Sequence, residues 1–245
     1  FDPLEHNPDR IGLMKSAQVA GGWERTYKGL PVRTKIEAYY QYLYDVPVEV
    51  RSSAFSMVNA GSGFGRIWPD TLQNTGTGRN YGLELTAERF FAGGVYFLAT
   101  GSLFDAKYRG SDGVLRNTIF NGRYAFNLLA AKEFKLGPNN RFTLGGKFTT
   151  VGGRWFGDKV DQNATLRAGE IIFENKGFNT VQNRAYQRLD LKLGYKWNYP
   201  NLAWEFGLDI SNLTGAQNIL TLTYVPGLDN VDTPDIDEGI REEYQ

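Results

Sequence analysis

The side chains best suited to holding a ligand are aromatic and cationic ones that fall between ordered segments: Trp68, Tyr108, Trp155 and Phe156, beside Arg66, Arg109 and Arg154. Rings and guanidinium groups stack on sugars, haem or catecholates, and the guanidinium also pairs with anionic groups. Packing of loop against loop is the competing reading of the same residues. Acid–base chemistry has less material. Glu84 and Glu88 form a carboxylate pair, but at i and i+4 on a strand they stand ~13 Å apart, too far for either glycosidase geometry. One histidine, His6, and no cysteine leave nothing for a triad, a thiolate site or a two-histidine metal site. No catalytic residue, metal or cofactor is expected.

Two further clusters read as loops. Gly61, Gly63 and Gly65, with Gly76 and Gly78 close behind, lack the preceding strand and following helix start that a phosphate cradle needs, so flexible-loop glycines are expected. Asp229, Asp232, Asp235, Asp237 and Glu238 crowd the tail, but their spacing departs from a calcium-binding loop and Pro234 interrupts it. A solvated loop is the expectation there.

The elements that position these residues are strands. The 245 residues carry 27 Lys+Arg against 27 Asp+Glu, which argues against nucleic acid as a partner. No run approaches the ~18 apolar residues of a membrane helix. The chain begins at Phe1 without a methionine, which reads as a piece of a longer or processed protein. Period-2 alternation dominates. Leu189, Leu191, Leu193, Tyr195 and Trp197 share one face against Arg188, Asp190, Lys192, Gly194 and Lys196; Trp204, Phe206, Leu208 and Ile210 repeat the pattern. Similar runs cover 32–38, 81–88, 123–130 and 142–149, with weaker ones near 17–27 and 94–105. The total is about eight strands, most longer than the ~5–6 residues usual in soluble sheets.

Their connections alternate in length. Lys28–Pro31, Ala92–Gly94, Gly137–Asn140 and Asn198–Asn201 are short; 45–78, 106–118, 152–184 and a tail from about 212 are long. Short turns on one rim and long loops on the other is the layout of an outer-membrane barrel. Aromatic residues crowd the short turns (Tyr27, Phe90, Phe91, Tyr96, Phe134, Phe142, Trp197, Tyr199 and Trp204), as an interfacial girdle requires. Opposite the apolar stripe lie Arg33, Lys35, Arg123, Lys147, Arg188 and Lys192 with Glu37, Glu84, Glu88, Asp190, Glu205 and Asp209. In a membrane barrel these charges face the lumen or a plug, because Arg or Lys facing lipid costs about 2–4 kcal/mol at the midplane.

Several stretches carry a family resemblance: Glu37–Pro47 (EAYYQYLYDVP), Gly76–Arg79, Asn80–Glu88 (NYGLELTAE), Ala99–Tyr108 (ATGSLFDAKY), Arg116–Asn121 (RNTIFN), Ala131–Phe134, Arg188–Asp190 and Asp209–Thr214 (DISNLT). In order and spacing they resemble the C-terminal part of the barrel of TonB-dependent outer-membrane receptors. The resemblance implies an all-β fold: eight long strands of an antiparallel transmembrane barrel of about 22 strands. It implies residence in the Gram-negative outer membrane and uptake of a scarce nutrient of the siderophore, haem, vitamin or glycan class. The partners implied are membrane lipid, the receptor's own plug and remaining strands, the TonB complex, and the transported ligand. On this reading residues 1–245 are barrel wall, the plug and the final strand lie outside them, and the long loops face outward from the cell. An outer-membrane or secreted β-sandwich binding module, recognising glycan or protein through its loops, is the alternative. It differs in burying the apolar face under a second sheet.

Overall fold

The structure, a computed structural model, describes residues 11–60, 69–168, 171–224 and 240–244. Eight long strands form one antiparallel sheet: β1 (Lys15–Thr26), β2 (Val32–Glu49), β3 (Leu72–Ala92), β4 (Val95–Arg109), β6 (Tyr124–Leu136), β7 (Asn140–Val151), β10 (Tyr186–Tyr199) and β11 (Leu202–Ile210). Each pairs with the next long strand in sequence. A short β5 (Leu115–Asn117) adds to the end of β4. The rest comprises β8 (Trp155–Phe156) with β9 (Val181–Gln182), α1 (Gln162–Ala168), and β12 (Ile219–Tyr224) with β13 (Ile240–Tyr244). Within the described residues the sheet does not close, and β1 and β11 each have one long-strand neighbour.

Register turns the alternation into two contrasting surfaces, because residues directly opposite on neighbouring strands share a face. One rung runs Glu24, Lys35, Thr86, Thr100, Asn127, Thr149, Arg188 across seven strands, and every side chain is polar. The adjacent rung runs Thr34, Ala87, Ala99, Leu128, Phe148, Leu189 and is almost wholly apolar. The apolar surface is uncovered: Leu85 is 51% exposed and Phe206 59%. Between β3 and β4 the turn is Gly93–Gly94, both at positive φ (61° and 76°), which suits the two-residue hairpin turn whose twist matches the strands.

The strands run further than alternation marks them. β2 continues to Glu49 and β3 begins at Leu72, so the long connection is 50–71 rather than 45–78. This corrects the reading of Gly76 and Gly78 as loop glycines. They are strand residues, and a Cβ at Gly76 would collide with the Val48 side chain. Glycine here permits close cross-strand packing, which composition alone confuses with a loop. Gly61, Gly63 and Gly65 lie outside the described residues, as do the five tail acids and His6.

A conventional core is absent from the described sheet. The fully buried side chains (Val46, Val48, Tyr108, Asn121, Thr165 and Asn179) gather instead at the strand ends and connections on the long-loop rim.

Candidate functional site

The connections 50–60, 110–123 and 171–185 are tied together mainly by asparagine side chains, which both donate and accept. Asn121 is completely buried. Its Oδ1 accepts from the Ala106 amide at 3.0 Å, and its Nδ2 donates to Asp105 Oδ1 and Asn117 Oδ1, both at 2.9 Å. Asn117 and Asn179 exchange side chain-to-backbone hydrogen bonds at 3.4 and 2.8 Å. Asn59 Oδ1 accepts from the Ile119 amide at 3.1 Å, and Asn175 Oδ1 from the Ala54 amide at 2.9 Å. Arg116 completes the tier, donating to both carboxylate oxygens of Asp112 (2.8 and 2.6 Å) and to the Asn175 carbonyl at 2.7 Å. Burial alone would push the Asp112 carboxyl up, but the Arg116 hydrogen bonds, the Val114 amide and the guanidinium charge together hold it below the ordinary carboxylate range.

Beside this tier a cleft of about 540 Å³ opens where β7 ends and β10 begins. Val151 and Tyr186, directly paired on the polar face, form part of its floor. Arg154, Trp155 and Phe156 line one wall, with Phe173 and Arg184 nearby. The exposed Arg154 guanidinium lies over the Phe120 ring at 5.7 Å, and Phe156 meets Phe173 with centroids 6.0 Å apart. Trp155 is held from three sides: its amide donates to the Ile119 carbonyl (3.1 Å), its Nε1 to the Asn121 carbonyl (2.6 Å), and Arg123 stacks over its ring at 4.8 Å. The exposed Arg154 guanidinium, with the rings of Phe156 and Phe173, can pair with an anionic group and stack on a ring-bearing molecule.

The structure therefore brings Arg154, Trp155 and Phe156 together and separates the others. Tyr108 is fully buried with its hydroxyl donating to the Ala54 carbonyl at 2.9 Å, so it braces the loop tier and presents no surface to a ligand. Arg109 pairs with Thr77 on the apolar face, opposite to Tyr108. Trp68 and Arg66 lie outside the described residues. Asn121, Arg116 and Asn175 were not singled out from sequence. Their only signal was that Arg116 and Asn121 bound the RNTIFN stretch.

The strand charges expected to face the lumen share the polar face: Arg33, Lys35, Glu37, Glu84, Glu88, Lys147, Arg188, Asp190, Lys192, Glu205 and Asp209. Arg33 bonds Glu88 at 2.7 Å, Lys35 pairs with Glu37 at 2.6 Å, Arg188 with Asp190 at 2.7 Å and Lys192 with Asp209 at 3.3 Å. Arg123 departs from this set. It sits before β6 at positive φ (68°) and turns to the Trp155 ring.

Comparison with known proteins adds the following. The sequence model of a family described as TonB dependent receptor-like, beta-barrel, matches residues 14–213. Among solved structures, the chain is similar to BauA, the ferric preacinetobactin receptor from Acinetobacter baumannii. The TM-score is 0.58 at 14% identity, over 94% of this chain and 28% of that one. The chain thus spans just over a quarter of the length of that receptor. No curated protein matches the sequence.

Proposed function

Because the chain belongs to the TonB-dependent receptor β-barrel family, we propose that it forms barrel wall and ligand-facing loops of a receptor for a scarce nutrient in the Gram-negative outer membrane. The observation that carries this reading is the sheet's pair of faces, one uncovered and apolar, the other polar and ion-paired, across eight long strands. From Val32 to Tyr42 the apolar face extends ~33 Å along β2, or about 25 Å along the membrane normal at a ~40° tilt, which matches the hydrocarbon band. A β-sandwich would cover that face with a second sheet. Among the described residues the other sheets are two-stranded, and the apolar side chains stay exposed.

In this arrangement the polar face lines the lumen, where Arg33, Lys35, Glu37, Glu84, Glu88, Lys147 and the charges of β10 and β11 meet the plug. The asparagine-tied tier lies outside the cell. The cleft of Arg154, Trp155 and Phe156 opens inward from it onto the lumen and takes the ligand. Its Arg154 guanidinium and aromatic lining favour an anionic member of the siderophore, haem, vitamin or glycan classes; the structural neighbour BauA is a ferric preacinetobactin receptor. No bond is made or broken. Ligand contact drives transport by stabilising one plug state over another, as any ligand-driven shift must, and energy arrives through TonB.

The test is fractionation of the full-length protein followed by gel mobility in detergent with and without heating. Recovery in the outer membrane with a compact, heat-shifted band is expected. A freely soluble protein with no shift overturns the reading.

A further inference from the structure

Near the long-loop ends of β3 and β4 a basic patch lies on the apolar face. Arg79 stands directly opposite Lys107, and Arg109, two residues further along β4, pairs with Thr77. Directly opposed like charges destabilise a bare sheet, with Cβ atoms ~4.5–5.5 Å apart. The nearest carboxylate on this face, Asp105, contacts Lys107 at 3.5 Å but already accepts from the Tyr81 hydroxyl at 3.1 Å and from Asn121 at 2.9 Å. Arg79 and Arg109 have no carboxylate partner among the described residues, and the Arg79 Nε is shielded from water without a hydrogen-bond acceptor. Three cations thus share one carboxylate whose lone pairs are largely taken.

The height of the patch is informative. One rung toward the short-turn rim, Tyr40 and Tyr81 stack at 6.5 Å and 20°, and beyond them come the exposed Leu83, Leu85 and Leu103. Tyrosines of this kind mark the depth of lipid headgroups. Lys15, on the next strand pair, is matched by Asp45 at 2.8 Å and Tyr44, so at this rim the unbalanced charge of the apolar face lies on β3 and β4.

We propose that Arg79, Lys107 and Arg109 bind the phosphate of a membrane lipid headgroup, whose acyl chains lie against Leu83, Leu85 and Leu103. Guanidinium forks match phosphate oxygens two at a time, and the phosphate supplies the counter-charge that the Arg79–Lys107 pair lacks. A free phosphate ion could meet the cations but would leave the adjoining apolar surface bare. This inference rests on the membrane reading above, since it needs the apolar face in lipid.

The test uses the full-length protein in mild detergent, with three probes: lipid A, whose sugar backbone carries two phosphates; the same lipid with its phosphates removed; and inorganic phosphate. Binding is read by native mass spectrometry and by retention through gel filtration. The phosphorylated lipid is expected to bind, and the triple change Arg79→Gln, Lys107→Gln, Arg109→Gln to weaken it roughly 100-fold, each basic side chain at a charged lipid surface contributing about fivefold. Lys28→Gln, in a turn at the opposite rim, is expected to leave binding unchanged. Equal binding of both lipids, or an unaltered affinity in the triple variant, overturns the proposal. Displacement of the lipid by millimolar inorganic phosphate overturns the lipid as the ligand. Heated and unheated gels of the same samples separate the failures. A missing heat shift in the unaltered protein removes the membrane reading, and with it this site; an intact shift with no lipid preference removes this site alone.

Discussion

Replacing Arg116 by methionine is the sharpest probe of the loop tier. The guanidinium side chain is 5% exposed and its Asp112 partner 16%, so the substitution leaves a carboxylate poorly solvated and unpaired, and the Asn175 carbonyl without its donor. Breaking a buried pair in this way costs about 3–5 kcal/mol; partial access of water to Asp112 lowers that to about 2–3 kcal/mol, or roughly 30- to 150-fold in the opening equilibrium. The loss is local, because the sheet's hydrogen bonds do not depend on it. Hydrogen exchange of the full-length protein should therefore show faster exchange at the amides of Ala54 and Ile119, which the tier protects, with β3 and β4 unchanged. The double variant Asp112→Asn, Arg116→Met should exchange more slowly than Arg116→Met alone, since it removes the stranded charge. Acid should act in the same direction on the unaltered protein. The Asp112 carboxyl is held below its unfolded value, so its contribution is complete above that value, near 3.9, and is lost as pH falls through the depressed folded one. Unchanged exchange at Ala54 and Ile119 in Arg116→Met, or a double variant worse than the single, would refute the reasoning.

Other substitutions probe the remaining links. Leu85→Arg on the apolar face should cost about 2–4 kcal/mol in denaturant unfolding from lipid vesicles, while Thr86→Arg on the polar face should cost far less; equal tolerance would mean that Leu85 does not meet lipid. Gly82→Leu should block barrel assembly, read by loss of the heat-shifted band, because a Cβ there comes within 2.8 Å of the Leu103 carbonyl and the Tyr39 hydroxyl. Arg154→Ala and Phe156→Ala should each lower affinity for the transported ligand by about tenfold without altering thermal stability, the scale of one lost ring or charge contact. Trp155→Phe keeps the ring but loses the Nε1 bond to Asn121, and should loosen Gly122 and Gly152 in hydrogen exchange by about 1 kcal/mol.

How far the fold could be read from sequence depended on where water and lipid separate the two faces. Within the band, Leu189–Trp197 and Trp204–Ile210 alternate because every second side chain meets a different medium, and those strands are found where the pattern puts them. Past the band the contrast fades. Asn74–Arg79 is polar and glycine-rich, yet it is strand, because the Val48 side chain packs against Gly76 and the Leu43 side chain against Gly78. The cleft residues Arg154–Phe156 were legible as an aromatic and cationic group. Asn121 was not, since a loop asparagine looks the same in sequence whether it meets water or four protein groups. The face of Arg109 was readable in principle, by counting in twos from Leu103, but the weak pattern of β4 concealed it.

The bond between Ala54 and Asn175 joins residues 121 positions apart. Closing so long a loop in a free chain carries a large entropic penalty. Here the strands have already met it, since β3 and β10 are four strand spacings, ~19 Å, apart once the sheet is paired. The tier is consequently a passenger of the sheet in folding order: it can zip only after registry is set, and it will come apart first. The same loops released as peptides have no reason to find one another, whereas transplanted between strands of equal spacing they would keep their partners. Variation in ligand preference can thus accumulate on the rim without touching the residues that decide whether the wall forms.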